Sequence, residues 1–84
     1  PEKEGKHMNK SRRSRIDDII QKIEDLASDI DAIREEEDEA YNNMPESFQE
    51  SDRGEVMYEA IDNLESAISS LEDVTDYLNE AKGE

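Results

Sequence analysis

The chain has 84 residues, a formal net charge of −15 and no cysteine. That length allows one small domain without a large core, and the missing thiols exclude disulfides, thiolate metal sites and cysteine nucleophiles. So large a negative charge keeps a protein soluble, repels nucleic acid and anionic membranes, and favours basic surfaces.

Pro1 to His7 are polar and without pattern, and His7-Met8 is what a common cloning junction encodes. Residues 1–7 therefore read as a cloning scar and Met8 as the expected native start. His7, the one histidine, belongs to the scar. Residues 8–13 read as a basic N-terminal arm. Lys10, Arg12, Arg13 and Arg15 follow one another with no acid between them, whereas from Ile16 onward 23 acids face four bases, a balance of −19. The arm is expected either to be solvated or to dock on acidic groups, its own or a partner's.

A first helix is predicted over residues 14–43. Ser14 is the expected N-cap, with Asp17 at the spacing of a reciprocal cap and Asp18 adding negative charge to the first turn. Apolar residues then recur alternately three and four apart. Ile16, Ile23 and Ile30 form one column, and Ile19, Leu26, Ile33 and Ala40 the other. Ile20 and Ala27 widen the stripe, as suits a helix inside a bundle. Near the C-terminal end comes an unbroken acidic run, Glu35 to Glu39, where the helix dipole prefers cations. Glu35, Glu36, Asp38 and Glu39 are candidate contacts to a basic partner; the alternative is a solvated helix end.

Residues 44–51 are predicted as a loop. Met44 precedes Pro45 and is pushed out of the helical region, and Asn42 and Asn43 each tolerate a left-handed cap. Pro45 to Gln49 suits one short turn, with Phe48 expected to plug the open end of the hairpin among Tyr41, Met44 and Met57. A second helix is predicted over 52–81, starting near Ser51 or Asp52 and ended by Gly83. Its core column is Met57, Ile61, Leu64, Ile68, Leu71 and Leu78, with Thr75 holding one place. Ala60, Ala67, Val74 and Ala81 add a column of small residues.

The predicted fold class is all-α: an antiparallel two-helix hairpin over residues 14–82, coiled-coil-like, because a short connection forces long helices antiparallel. The seams match if Ile33 lies opposite Ile61, Ile30 opposite Leu64, Leu26 opposite Ile68, Ile23 opposite Leu71, Ile19 opposite Thr75 and Ile16 opposite Leu78. One seam buries little against the entropy of ordering the chain. A homodimer forming a four-helix bundle is therefore expected.

Chemistry is sparse. No native histidine, no glycine-rich phosphate loop and no calcium loop of EF-hand spacing is present. No catalytic residue, metal site or cofactor is predicted, and the protein is read as no enzyme. No apolar run approaches the ~20 residues that span a bilayer and no signal-like segment occurs, so the expected location is the cytoplasm, with no membrane or direct nucleic-acid contact. Four bases against so much acid set aside a reading in which the arm and Tyr77 touch nucleic acid. What remains is a non-enzymatic module binding a basic protein, in one form a nucleic-acid mimic. The alternative is a structural coiled coil whose acids only keep it soluble.

The segment Met44-Pro45-Glu46-Ser47-Phe48-Gln49-Glu50-Ser51-Asp52-Arg53-Gly54-Glu55, with Asn63-Leu64-Glu65-Ser66-Ala67-Ile68 after it, resembles small acidic helical-hairpin proteins of bacteriophages and mobile elements of Gram-positive bacteria. The resemblance spans nearly the whole native chain and rests on loop and heptad features. It implies a context in which small acidic proteins block host nucleic-acid enzymes, restriction and CRISPR nucleases among them. It carries over no binding residue.

Overall fold

The structure, a computed structural model, describes residues 8–83. The scar assigned to residues 1–7 lies outside the described residues. Three helices follow one another: α1 (Lys10–Asn42), α2 (Glu46–Gln49) and α3 (Asp52–Ala81). The two long helices pack side by side in a rod with Cα extents of 67 × 16 × 14 Å. They run antiparallel. Lys82, just past α3, forms an ion pair with Asp17 near the start of α1, and the Tyr41 and Tyr58 rings meet edge to face, 6.1 Å apart, at the other end.

Helix α1 starts at Lys10, earlier than the predicted residue 14. The cap is Asn9 and not Ser14: its Oδ1 accepts from the Arg12 N–H at 2.9 Å. Lysine and arginine are good helix formers, so nothing between Asn9 and Ser14 stops the helix. The basic arm is thus the first turns of α1, with Lys10, Arg12, Arg13 and Arg15 on its surface.

The helix ends at Asn42 without a left-handed cap. Asn43 stays right-handed at φ −86°, and Gly83, at φ 87°, is the one described residue with positive φ. Pro45 precedes the single turn of α2, and Ser51 caps α3 by accepting from the Gly54 N–H. The connection is closed by polar contacts. Gln49 Nε2 donates to the Tyr41 carbonyl at 2.8 Å and the Met44 carbonyl at 3.3 Å, and the Ser51 hydroxyl donates to the Phe48 carbonyl.

Phe48 is therefore not the expected plug. It remains 57% exposed, beside Ala40, Met44, Arg53 and Met57, while Tyr41 turns to the opposite side and meets Tyr58. The reason is Gly54. Lacking a side chain, it lets the first turn of α3 lie against the backbone of Phe48 and Gln49, and the space a plug would fill is closed.

The seam differs from the predicted one by a single residue step on α1. Ile16, Ile23 and Ile30 are half-buried as one column, continuing to Glu37 and Met44. The second column is Ile20, Ala27, Arg34 and Tyr41. Ile19 (45% exposed), Leu26 (54%) and Ile33 (56%) stand outside it. On α3, Met57, Ile61, Leu64, Ile68, Leu71, Thr75 and Leu78 all face α1, and Gly54 and Lys82 extend their columns. Ile61, at 8% exposed, is the one buried large apolar residue among those described.

This burial pattern and the cross-helix contacts slide the register by about one turn. Asp17 meets Lys82, Arg34 lies next to Glu65 and Tyr41 meets Tyr58, and with Leu26 and Ile33 exposed the predicted pairings of Leu26 with Ile68 and Ile33 with Ile61 do not form. The elbow sets this slide. Backbone contact at Gly54 and the Gln49 bonds fix where α3 begins beside α1, and with that start Ile19, Leu26 and Ile33 remain in solvent.

Candidate protein-binding surfaces

The seam divides the rod into two long sides of opposite character. Residues seven apart share a face, since seven residues complete nearly two helical turns. On one flank, α1 contributes Asp17, Glu24, Asp31 and Asp38, and α3 contributes Tyr58, Glu65, Glu72 and Asn79. Glu24 and Glu72 of this flank, with Asp76, line a shallow open groove above Ile23, Ala27, Leu71 and Thr75. Farther along the flank Arg34 reaches between the helices, with Nε 2.9 Å from Asp31 and a terminal nitrogen 4.0 Å from Glu65. Its hydrogen bond to Asp31, and the charges of Asp31, Glu65 and Glu35, hold the guanidinium pKa above the usual arginine range. Lys82 plays the same part at the far end, buried against Asp17. Two seam places are thus cations matched to the acidic flank.

On the other flank charge is confined to the ends of the columns, Arg12 on α1 and Arg53 on α3. Helix α1 contributes Ile19, Leu26, Ile33 and Ala40; α3 contributes Ala60, Ala67, Val74 and Ala81. Beyond these on α3 come Val56, Asn63, Ser70 and Tyr77, all exposed. In a chain of which 42% is charged, four successive uncharged places in the facing column of each long helix, from Ile19 to Ala40 and from Ala60 to Ala81, are not a solvated default. Phe48 and Met44 continue this flank around the elbow.

The predicted partner-binding residues do not form one site. The acidic run winds once around α1. Glu35 and Glu39 are exposed on the outer side, Asp38 is half-buried on the acidic flank, and Glu37 sits in the seam. Glu36 lies on the opposite edge, beside the Ile33 column. Only Glu35, Asp38 and Glu39 share a surface, joined there by Asp31 and Glu24. The signal for this was present in Ile20 and Ala27, whose column continues at the same spacing to Arg34 and Tyr41. A charged residue in that column concealed it.

Among the described residues no group of three His, Cys, Asp or Glu side chains is placed to hold a metal ion, and no helix is long and apolar enough to cross a membrane. Crowded like charges on the acidic flank repel one another within roughly a Debye length. Raising salt from about 10 mM to about 150 mM is therefore expected to raise the midpoint of thermal unfolding by a few degrees, followed by helical circular dichroism. A midpoint that falls instead would show that the Arg34 and Lys82 ion pairs outweigh that repulsion.

No family model matches the chain, and no curated protein or solved structure matches it.

Proposed function

We propose that this protein is a non-enzymatic protein-binding module: a helical hairpin that pairs with a second copy into a four-helix bundle and offers its acidic flank to a basic protein. The observation that supports this best is the segregation of the rod into one side with uncharged columns between Arg12 and Arg53 and one acidic side. Soluble rods that only space other elements have no need to keep charge off one flank over four successive places on each of two helices. A hairpin that buries that flank against another hairpin leaves its carboxylates outward, in rows along the assembly.

A narrower form of the proposal is a nucleic-acid mimic of phage or mobile-element origin that occupies the groove of a host nuclease. Asp17, Glu24, Asp31 and Asp38 recur at every second turn, about 10 Å apart, and Glu65 and Glu72 run parallel to them. Regular negative charge on a rigid rod is what a basic nucleic-acid groove receives.

The test is affinity capture from a bacterial lysate, eluted in rising salt, with a variant carrying Glu24→Gln, Asp31→Asn, Glu35→Gln and Asp38→Asn run in parallel. The proposal expects a basic protein that elutes with salt and is lost by the variant. Competition by duplex DNA supports the mimic. Equal capture by both forms, or capture of the protein's own second copy alone, overturns the acidic-flank reading and leaves a structural coiled coil.

A further inference from the structure

We propose that the uncharged side is closed by a second copy of this chain lying antiparallel across it, helix α1 on helix α1, with the two-fold axis crossing at Leu26. The inference deepens the self-association proposed above and rests on it. Three features of α1 carry it.

The first is the order of the exposed column: Arg12, Ile19, Leu26, Ile33, Ala40. Reversed about Leu26, it sets Ile19 against the partner's Ile33 and Leu26 against the partner's Leu26, so a two-fold axis matches apolar to apolar over the middle of the column, with Arg12 by the partner's Ala40 at its ends. Val74 lies across the hairpin at nearly the same level, flanked by Ala67 and Ala81, whose small side chains let the partner backbone approach.

The second is the rim beside that column. It reads Arg15, Lys22, Asp29, Glu36, two bases followed by two acids, and each is exposed and without an ion pair among the described residues. Antiparallel stacking places Arg15 by the partner's Glu36 and Lys22 by the partner's Asp29, each contact made twice. Parallel two-fold stacking sends the two rims to opposite edges of the pair, where these contacts do not form. The rim thus specifies direction as well as partner.

The third is the dipole. Helix α1 has bases at its N-terminal end, no acid in its first turn, and acids without a base at its C-terminal end. Both placements oppose the helix dipole. Antiparallel pairing sets each block against the other on the neighbouring copy, so two local misfits offset one another. At the same ends, Met8, which packs near Ile16 and Ile19, comes over the partner's Met44 and Phe48, the groove left open at the elbow. Two helices about 10 Å apart and about 45 Å long present roughly 700 Å² per copy, which doubled falls within the range of stable interfaces.

The chain has no cysteine, so single substitutions report cleanly. Under oxidation Leu26→Cys is expected to form a disulfide-linked dimer. Ile19→Cys or Ile33→Cys alone does not, but a mixture of those two gives a crosslinked heterodimer. Efficient self-crosslinking at all three positions identifies a parallel arrangement and overturns the inference. Lys22→Asp is expected to weaken the dimer roughly tenfold, as is Asp29→Lys, and the double substitution restores it. Swaps that add instead of compensating overturn the assigned rim. Light scattering separates the two levels: a monomer at tens of micromolar removes self-association itself, whereas a dimer with no crosslink at Leu26 removes only this geometry.

Discussion

Replacing Gly54 by alanine is expected to cost about 3 kcal/mol of folding stability, the largest effect of any single methyl group in this chain. The position looks permissive, since a glycine in the first turn of a helix carries little local penalty. The tertiary setting reverses that. A Cβ at Gly54 would come within 2.5 Å of the Gln49 carbonyl carbon and 2.6 Å of the Phe48 oxygen, nearer still to the Gln49 oxygen, and all of these are backbone atoms that cannot swing aside. Relief requires the elbow to open, which lengthens the Gln49 bonds to Tyr41 and Met44 and lets the register slip. Urea unfolding followed by circular dichroism measures the cost. Gly83→Ala is the control: no atom lies near its Cβ, and the expected loss of about 1 kcal/mol comes from the left-handed backbone alone. Equal losses at the two glycines would mean the elbow is not packed against Gly54.

Ile61→Ala is expected to cost about 2–4 kcal/mol, because Ile61 is the best-buried apolar side chain described and the rod has little freedom to close the cavity. Ile33→Ala, measured on the monomer at concentrations below dimer dissociation, is expected to cost less than about 1 kcal/mol, since its side chain already faces solvent there. Above that concentration the same substitution weakens the dimer. The pair of measurements decides the seam. If Ile33→Ala costs the monomer as much as Ile61→Ala, the seam runs through the Ile19, Leu26 and Ile33 column, and the free apolar flank does not exist.

Much of the architecture was legible before any coordinates. Two long helices with a break at Pro45 follow from heptad spacing and from the backbone limits proline sets on Met44. The core column of α3 was readable because it is apolar at every place but Thr75, with no rival column of comparable bulk. Gly83 was readable as a helix stop because only glycine is at ease in that backbone state. On α1, by contrast, two columns compete. Ile19, Leu26 and Ile33 carry more apolar bulk than Ile20, Ala27, Arg34 and Tyr41, and a rule that buries the bulkier column chooses the first.

Sequence alone therefore determined the helices, their antiparallel order, the sign of the charge and the absence of histidine and thiol chemistry from residues 8–84. These depend on local backbone preference and on composition, which every residue reports for itself. Only the tertiary structure decided which isoleucines face α3, how far the helices slide, and how the acidic run divides among the sides of α1. Those follow from the elbow, where a missing side chain at Gly54 and an amide at Gln49 fix the starting point of α3. A shift of one residue turns a helix by about 100°, so a contact at one end exchanges an apolar column for its neighbour along the whole rod.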